Sequence, residues 1–291
     1  MDRLSTHLQT NIERARQLLG QTRYLLITAG AGMGVDSGLP DFRGPEGFWR
    51  AYPVARRLGL RFEELANPRW FEENPKLAWG FYGHRLNLYR RTTPHRGFEL
   101  LLQLPHDKFV FTSNVDGQFQ KAGFSEEKIV EIHGSIHYLQ CTLPCCDQIW
   151  ENREEVEVDE ERLEALNLPR CRFCGEVARP NILMFGDWKF IPDRVDAQLE
   201  RFEEWLGRIG SGELAIIEIG AGTAVPTVRN LSERIARRFN TPLIRINPRD
   251  YHNCEIPIPL PAKKGLELII SPLLKEGKGE RGKNFRERSG L

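Results

Sequence analysis

Tyr24-Leu25-Leu26-Ile27-Thr28-Ala29-Gly30-Ala31-Gly32-Met33-Gly34-Val35-Asp36-Ser37-Gly38-Leu39-Pro40-Asp41-Phe42-Arg43-Gly44 is the stretch on which the reading of this chain turns. Its first six residues are an apolar run of strand length, and closely spaced glycines follow at once. A chain that turns sharply at the end of a buried strand and brings bare backbone amides against a phosphate needs that combination. The pattern points to a dinucleotide, yet Val35 stands at the third glycine position of the Gly-x-Gly-x-x-Gly fingerprint. A Gly-x-Gly turn after a strand also occurs in α/β proteins that bind no nucleotide. What lies beyond it is more telling, because a Phe and an Arg just after a Ser-Gly-Leu-Pro turn have no task in ordinary hydride-transfer sites.

Around this stretch the periodicity alternates between strand and helix. Ile12 to Leu19 has helical spacing and stops at Gly20. Phe48 to Arg91 reads as an aromatic-rich helical module interrupted by Pro53, Pro68 and Pro75. Strand-like runs occur at 108–112, 128–132, 181–185, 214–219, 242–246 and 266–270. Buried strands alternating with helices predict an α/β fold, a doubly wound, Rossmann-like parallel sheet covered on both faces. The expected main domain comprises 1–44, 94–137 and 181–274, with a helical insertion over 45–93 and a cysteine-bearing module over 138–180. The acidic stretch Glu151 to Glu164 offers little core-forming content, and 275–291 reads as a mobile tail.

With 291 residues and 40% hydrophobic content the chain can bury one large domain and a smaller one. A net charge of +1 supplies no global field for nucleic acid or membrane. The N-terminus lacks a secretory pattern, and no apolar run approaches the roughly 18 to 20 residues that span a bilayer. The expected location is the cytoplasm. Five of the six cysteines lie between Cys141 and Cys174, which suits a thiolate metal site in a reducing compartment. Cys171-x-x-Cys174-Gly175 is half of a zinc knuckle; Cys141, Cys145 and Cys146 offer the other half at irregular spacing. Cys141, Cys145, Cys171 and Cys174 are the favoured set, with Cys146 as the alternative fourth ligand. Four thiolates leave no open coordination position, so the Zn2+ would be structural.

Four further motifs follow strands. Thr112-Ser113-Asn114-Val115-Asp116-Gly117 places Asn and Asp at a strand end, where they form turns but also meet ligands in doubly wound sheets. Glu131-Ile132-His133-Gly134-Ser135 carries a histidine, which at an ordinary pKa of about 6.5 can take a hydroxyl proton near neutral pH. Arg179-Pro180-Asn181-Ile182-Leu183-Met184-Phe185-Gly186-Asp187 and Ile219-Gly220-Ala221-Gly222-Thr223-Ala224, with Arg245-Ile246-Asn247, complete the set. In this order the motifs resemble those of the sirtuins, the NAD-dependent protein-lysine deacylases, over roughly Tyr24 to Leu274. The resemblance implies that Gly30, Ala31, Gly32, Asp41, Phe42 and Arg43 contact NAD, that Ser113, Asn114 and Asp116 order its ribose, and that Gly222, Thr223 and Asn247 meet its adenosine. It makes His133 the general base, aided by Asn114 and Asp116, and lines an acyl-lysine tunnel with Ile182, Leu183 and Phe185. Ser113 stands where the family has Gln, Gly34 where many members have Ser, and Ala224 where Ser is usual.

Tyr82 and Arg85 are three apart on an expected helix, hence on one face. A matching Tyr-x-x-Arg marks the sirtuin branch that removes succinyl, malonyl and glutaryl groups, whose carboxylate suits a guanidinium fork. The plain alternative is an arginine turned to solvent. The implied activity is removal of acyl groups from protein lysines, giving nicotinamide and O-acyl-ADP-ribose. ADP-ribosyl transfer or NAD hydrolysis on the same fold is the first alternative, and a non-catalytic NAD-sensing interaction protein the second.

Overall fold

The computed structural model describes residues 5–41 and 44–288. Helix α1 (Thr6–Gln21), capped by the Ser5 hydroxyl accepting from the Leu8 amide at 3.3 Å, leads into β1 (Tyr24–Ala29). Five helices follow: α2 (Gly44–Ala51), α3 (Pro53–Arg57), α4 (Phe62–Leu65), α5 (Trp70–Glu73) and α6 (Pro75–Arg91). Then come α7 (Arg96–Gln103), β2 (Asp107–Thr112), α8 (Gln118–Lys121) and β3 (Ile129–Glu131). Strands β4 (Gly134–Cys141), β5 (Trp150–Glu151), β6 (Val158–Asp159), β7 (Glu164–Ala165) and β8 (Ala178–Ile182) form a separate group. The chain closes with α9 (Asp193–Leu206), β9 (Leu214–Ile219), α10 (Thr227–Phe239), β10 (Leu243–Ile246), β11 (Ile256–Ile258) and α11 (Ala262–Arg288).

Six strands make an all-parallel sheet in the order β11-β10-β9-β1-β2-β3. The chain builds outward from β1 to β3, then returns to the other side of β1, so the order reverses between β1 and β9. In doubly wound sheets that reversal is where ligands bind, outside the carboxyl ends of the strands. Leu25 and Ile27 pack with Leu8, Ile12, Phe98 and Leu266 on one face, while Tyr24 and Leu26 pack with Phe202, Trp205 and Ile235 on the other. Coverage of both faces is why β1 reads as an unbroken apolar run rather than an alternating one.

A second core gathers Phe48, Phe71, Trp79 and Phe81 of the helical insertion with Ile136 and Leu139 of β4 and Ile182 of β8. Helix α6 starts where Pro75 follows Asn74, whose side chain accepts from the Leu77 amide at 3.2 Å. Strands β5-β4-β8 form an antiparallel sheet and β6-β7 a hairpin pair.

Three expectations are corrected. The strand expected over 181–185 ends at Ile182 and pairs antiparallel with β4 instead of joining the parallel sheet. The run 266–270 is helical, within α11: Leu266, Ile269 and Ile270 are its buried positions, and a short apolar run does not reveal its period. The same helix runs on to Arg288. The acidic stretch contributes more core than expected, because Val156 and Leu163 are buried against the helical insertion. Among the described residues no helix is long and apolar enough to cross a membrane.

Candidate active site

The glycine turns after β1 and β9 interlock. The Gly30 amide donates to the Ile219 carbonyl and the Gly32 amide to the Gly220 carbonyl, each at 3.0 Å. A Cβ on Gly32 would lie 2.6 Å from the Gly220 Cα, and one on Gly30 would lie 2.8 Å from the Ala221 Cα. Gly220 itself has φ +61°, a conformation that disfavours side chains. The close backbone approach sets Gly30, Ala31 and Gly32 on the wall of a cavity of about 660 Å³, a size ordinary for a cofactor site. Gly32→Ala is expected to destabilise the fold by about 1–3 kcal/mol, because backbone must move where no side chain can yield. Thermal melting checks it; an unshifted transition would contradict the interlock.

The ends of β2 and β3 meet the same cavity. Thr112 Oγ1 donates to the Ala29 carbonyl at 2.9 Å and accepts from the Asn114 amide at 3.0 Å, while Asn114 Nδ2 donates to the Gly30 carbonyl at 3.0 Å. Asn114 is thereby fixed against the glycine turn. Asp116 is buried, and its carboxyl is pushed up to about 6, chiefly by desolvation, with the Glu131 charge adding and the Gln118 amide opposing. The His133 imidazole lines the cavity with Ser113, Asn114 and Asp116. Burial draws its pKa below the ordinary 6.5, opposed by a hydrogen bond to the Ser113 backbone, so the ring is neutral at pH 7. His137 Nε2 bonds the Asp116 carbonyl at 3.0 Å, and its ring fills the space beside Gly117, whose φ is +68°.

Across the reversal point, Gly222, Thr223 and Asn247 border the cavity. Asn247 Nδ2 donates to the Ala221 carbonyl at 3.0 Å, and its Oδ1 accepts from the Arg249 and Asp250 amides. Behind them is a buried ion pair that sequence reasoning missed. Arg245 donates to both Glu218 carboxylate oxygens, at 2.5 and 3.1 Å, and to the His252 and Asn253 carbonyls. Charged residues inside two apolar strands were its only signal.

The wall opposite comes from the smaller unit. Tyr82, Arg85, Ile182, Leu183 and Phe185 all line the cavity. Arg85 does not turn to solvent: it is 6% exposed, donates through Nε to the Tyr89 hydroxyl at 3.0 Å and lies over the Tyr82 ring. Tyr82 Oη is buried without a hydrogen-bond partner among the described residues, and desolvation lifts its pKa to about 12. The Leu183 amide donates to the His133 carbonyl at 2.9 Å, tying the exit of β8 to the histidine. Beneath it, Arg179 and Asp187 form a buried bidentate pair at 2.7 and 3.0 Å. Asp41 borders the cavity, whereas Phe42 and Arg43 lie outside the described residues. Ser37 and His95, which brace the glycine loop from behind, were not singled out from sequence.

Cys141, Cys145, Cys171 and Cys174 converge with all four Sγ atoms within 4.8 Å of one another. The Cys141–Cys174 and Cys145–Cys171 separations are 3.6 and 3.7 Å. Zn–S bonds of about 2.3 Å in a tetrahedron require sulfur pairs about 3.8 Å apart, so this donor set fits zinc. Cys146 sits beside Cys145 at 3.6 Å but is not one of the four.

The Sir2 family pattern matches residues 30–211. An NAD-dependent protein deacylase of Leptospira interrogans is 30% identical over 252 residues, 85% of this chain and 90% of the relative. One from Thermococcus sibiricus is 35% identical over 179 residues, 60% of this chain; the match spans 65% of that relative's length. The crystal structure of a Sir2 homolog–NAD complex superposes with a TM-score of 0.69 at 25% identity, covering 91% of this chain and 94% of the other. A matched family pattern over more than half of the chain, and a relative at 30% identity aligned over 85% of it, give one answer: the chain belongs to the Sir2 family.

Proposed function

We propose that the protein is an NAD-dependent protein-lysine deacylase acting in the cytoplasm, with structural Zn2+ held by Cys141, Cys145, Cys171 and Cys174. The observation that carries the reading is the convergence of the interlocked glycines, Asn114, Asp116 and a neutral His133 on one cavity at the reversal point of the sheet. Gly30, Ala31, Gly32 and Gly222 present small residues to the cavity at the strand ends, where a diphosphate can lie close to backbone. NAD, when bound, supplies a ribose whose bond to nicotinamide is exchanged for a bond to the acyl oxygen of the substrate. Gly30, Ala31 and Gly32 approach the diphosphate; Asp41, with Phe42 and Arg43, shapes the nicotinamide end; Gly222, Thr223 and Asn247 receive the adenosine. Asn114 and Asp116, beside Ser113, orient the ribose, and His133 accepts a proton from its hydroxyl. Acyl-lysine enters along Ile182, Leu183 and Phe185, the last two being partly exposed.

Mass spectrometry of products from NAD and acylated peptides tests this. Nicotinamide, free lysine and O-acyl-ADP-ribose are expected in equal amounts. Nicotinamide release that ignores the acyl group would replace the reading with NAD hydrolysis or ADP-ribosyl transfer.

Within this function, Tyr82 and Arg85 support a preference for acidic acyl groups, since a buried guanidinium beside an unpartnered phenol suits a carboxylate. A charge-assisted hydrogen bond is worth about 1.5–3 kcal/mol, so Arg85→Met should lower kcat/KM on a succinyl-lysine peptide about tenfold or more and spare acetyl-lysine. Equal or better acetyl turnover by the unaltered enzyme would reject the preference.

A further inference from the structure

We infer that His95 is a positioning residue for the dinucleotide, a strut between the N-terminus of α7 and the back of the glycine loop. The inference rests on the cofactor site proposed above and extends it to a residue that does not line the cavity. Both ring nitrogens are committed. Nδ1 accepts from the Gly97 amide at 2.9 Å, so the proton must be on Nε2, which donates to the Met33 carbonyl at 2.9 Å. The His95 amide donates to Ser37 Oγ, also at 2.9 Å. These contacts grip the loop twice from behind, at Met33 and at Ser37. The neighbouring Gly32, Val35 and Asp36 line the cavity from its front. Gly97 makes room for the strut, since a Cβ there would lie 2.6 Å from the imidazole Cε1.

Only the neutral ring can do this. A proton on Nδ1 would set a donor against the Gly97 N–H and break the cap. Burial holds the His95 pKa below its ordinary 6.5, with Lys263 adding to the depression. The Met33 hydrogen bond and the charges of Asp36 and Glu267 oppose it. These charges come from the glycine loop and from α11; toward α7 the ring meets Phe98, 5.0 Å between centroids. A depressed histidine pKa means that the contribution is complete above about pH 6.5 and is lost as pH falls through the lower, folded-state value.

His95→Asn separates the strut from the cap, because asparagine caps a helix well but is too short to reach Met33. His95→Ser, a second capping residue, guards against a folding failure peculiar to the first. Two measurements are made on the full chain: hydrogen exchange of the 31–38 amides without ligand, and the Kd for ADP-ribose between pH 5.5 and 8. Faster loop exchange is expected, with a Kd raised about two- to tenfold at pH 7.5, the net worth of one hydrogen bond. KM for NAD should rise likewise while kcat at saturating NAD is retained. The difference between wild type and variant should shrink on acidification. Unchanged exchange or an unchanged Kd in both variants overturns the inference. Failure of the wild type itself to bind ADP-ribose would instead overturn the proposed cofactor site, with loop exchange still reporting on the strut.

Discussion

His133→Ala is expected to lower kcat for deacylation by about 10²- to 10⁴-fold, the contribution of a positioned general base, while the melting temperature stays near that of the wild type. The contrast follows from how the residue is held. Its backbone carbonyl, which ties β8 through the Leu183 amide, survives the substitution, and the lost ring lines a cavity rather than the core. ADP-ribose affinity should change far less than kcat, because proton transfer is needed in the reaction and not in binding. Acid should reproduce the effect in the wild type. Since burial depresses the His133 pKa, the ring is neutral at pH 7, and kcat/KM should fall only as pH drops below 6.5. Asp116, pushed up to about 6, gains its own proton in the same range, so the acid limb belongs to the pair. Activity within tenfold of wild type in His133→Ala would remove the histidine from the mechanism.

How much of this was legible beforehand depended on the kind of signal. The glycine turn, the strand ends at Asn114 and His133 and the paired cysteines announce themselves because special backbone geometry or metal chemistry admits few residue types. Interactions between distant segments leave no such mark. Nothing around His95 forecasts that its ring would reach Met33, 62 residues earlier, nor does β10 disclose that Arg245 would meet Glu218. A histidine two residues before Gly97 at a helix start was readable as a cap and no more. Leu266 to Ile270 failed for a different reason, since five residues cannot distinguish a period of 2 from one of 3.6 when most of them are apolar. Arg85 departs from its plain alternative, an arginine turned to solvent: the phenol of Tyr89 and the rings of Phe81 and Tyr82 make a buried guanidinium tolerable, and they lie up to four residues away on its own helix. Aromatic residues spaced three and four from an arginine were the clue.

Loss of zinc should have the largest effect on the fold. The four thiols come from two segments, Cys141 and Cys145 on one side and Cys171 and Cys174 on the other. Around them Leu143, Leu166 and Phe173 are exposed, while the buried apolar residues of the intervening segment, Val156, Leu163 and Ala165, pack against the helical insertion. Structural zinc contributes about 10–16 kcal/mol of apparent binding energy in zinc-finger peptides, comparable with the whole stability of a typical domain. Cys171→Ser is therefore expected to yield chain that binds no zinc and melts far below the wild type or fails to fold, whereas Cys146→Ser should retain one zinc per chain by native mass spectrometry. The damage should also reach the active site. Cys141 ends β4, the strand on which His137 grips the Asp116 carbonyl, and Arg179 of the adjacent β8 anchors Asp187 beneath the cavity wall. Chelation under reducing conditions should accordingly weaken ADP-ribose binding and quicken exchange of the amides around Asp116 together. Full zinc content and an unshifted melt in Cys171→Ser would show that these thiols are ordinary buried cysteines, and the small sheet would then have to be stable on its aromatic core alone.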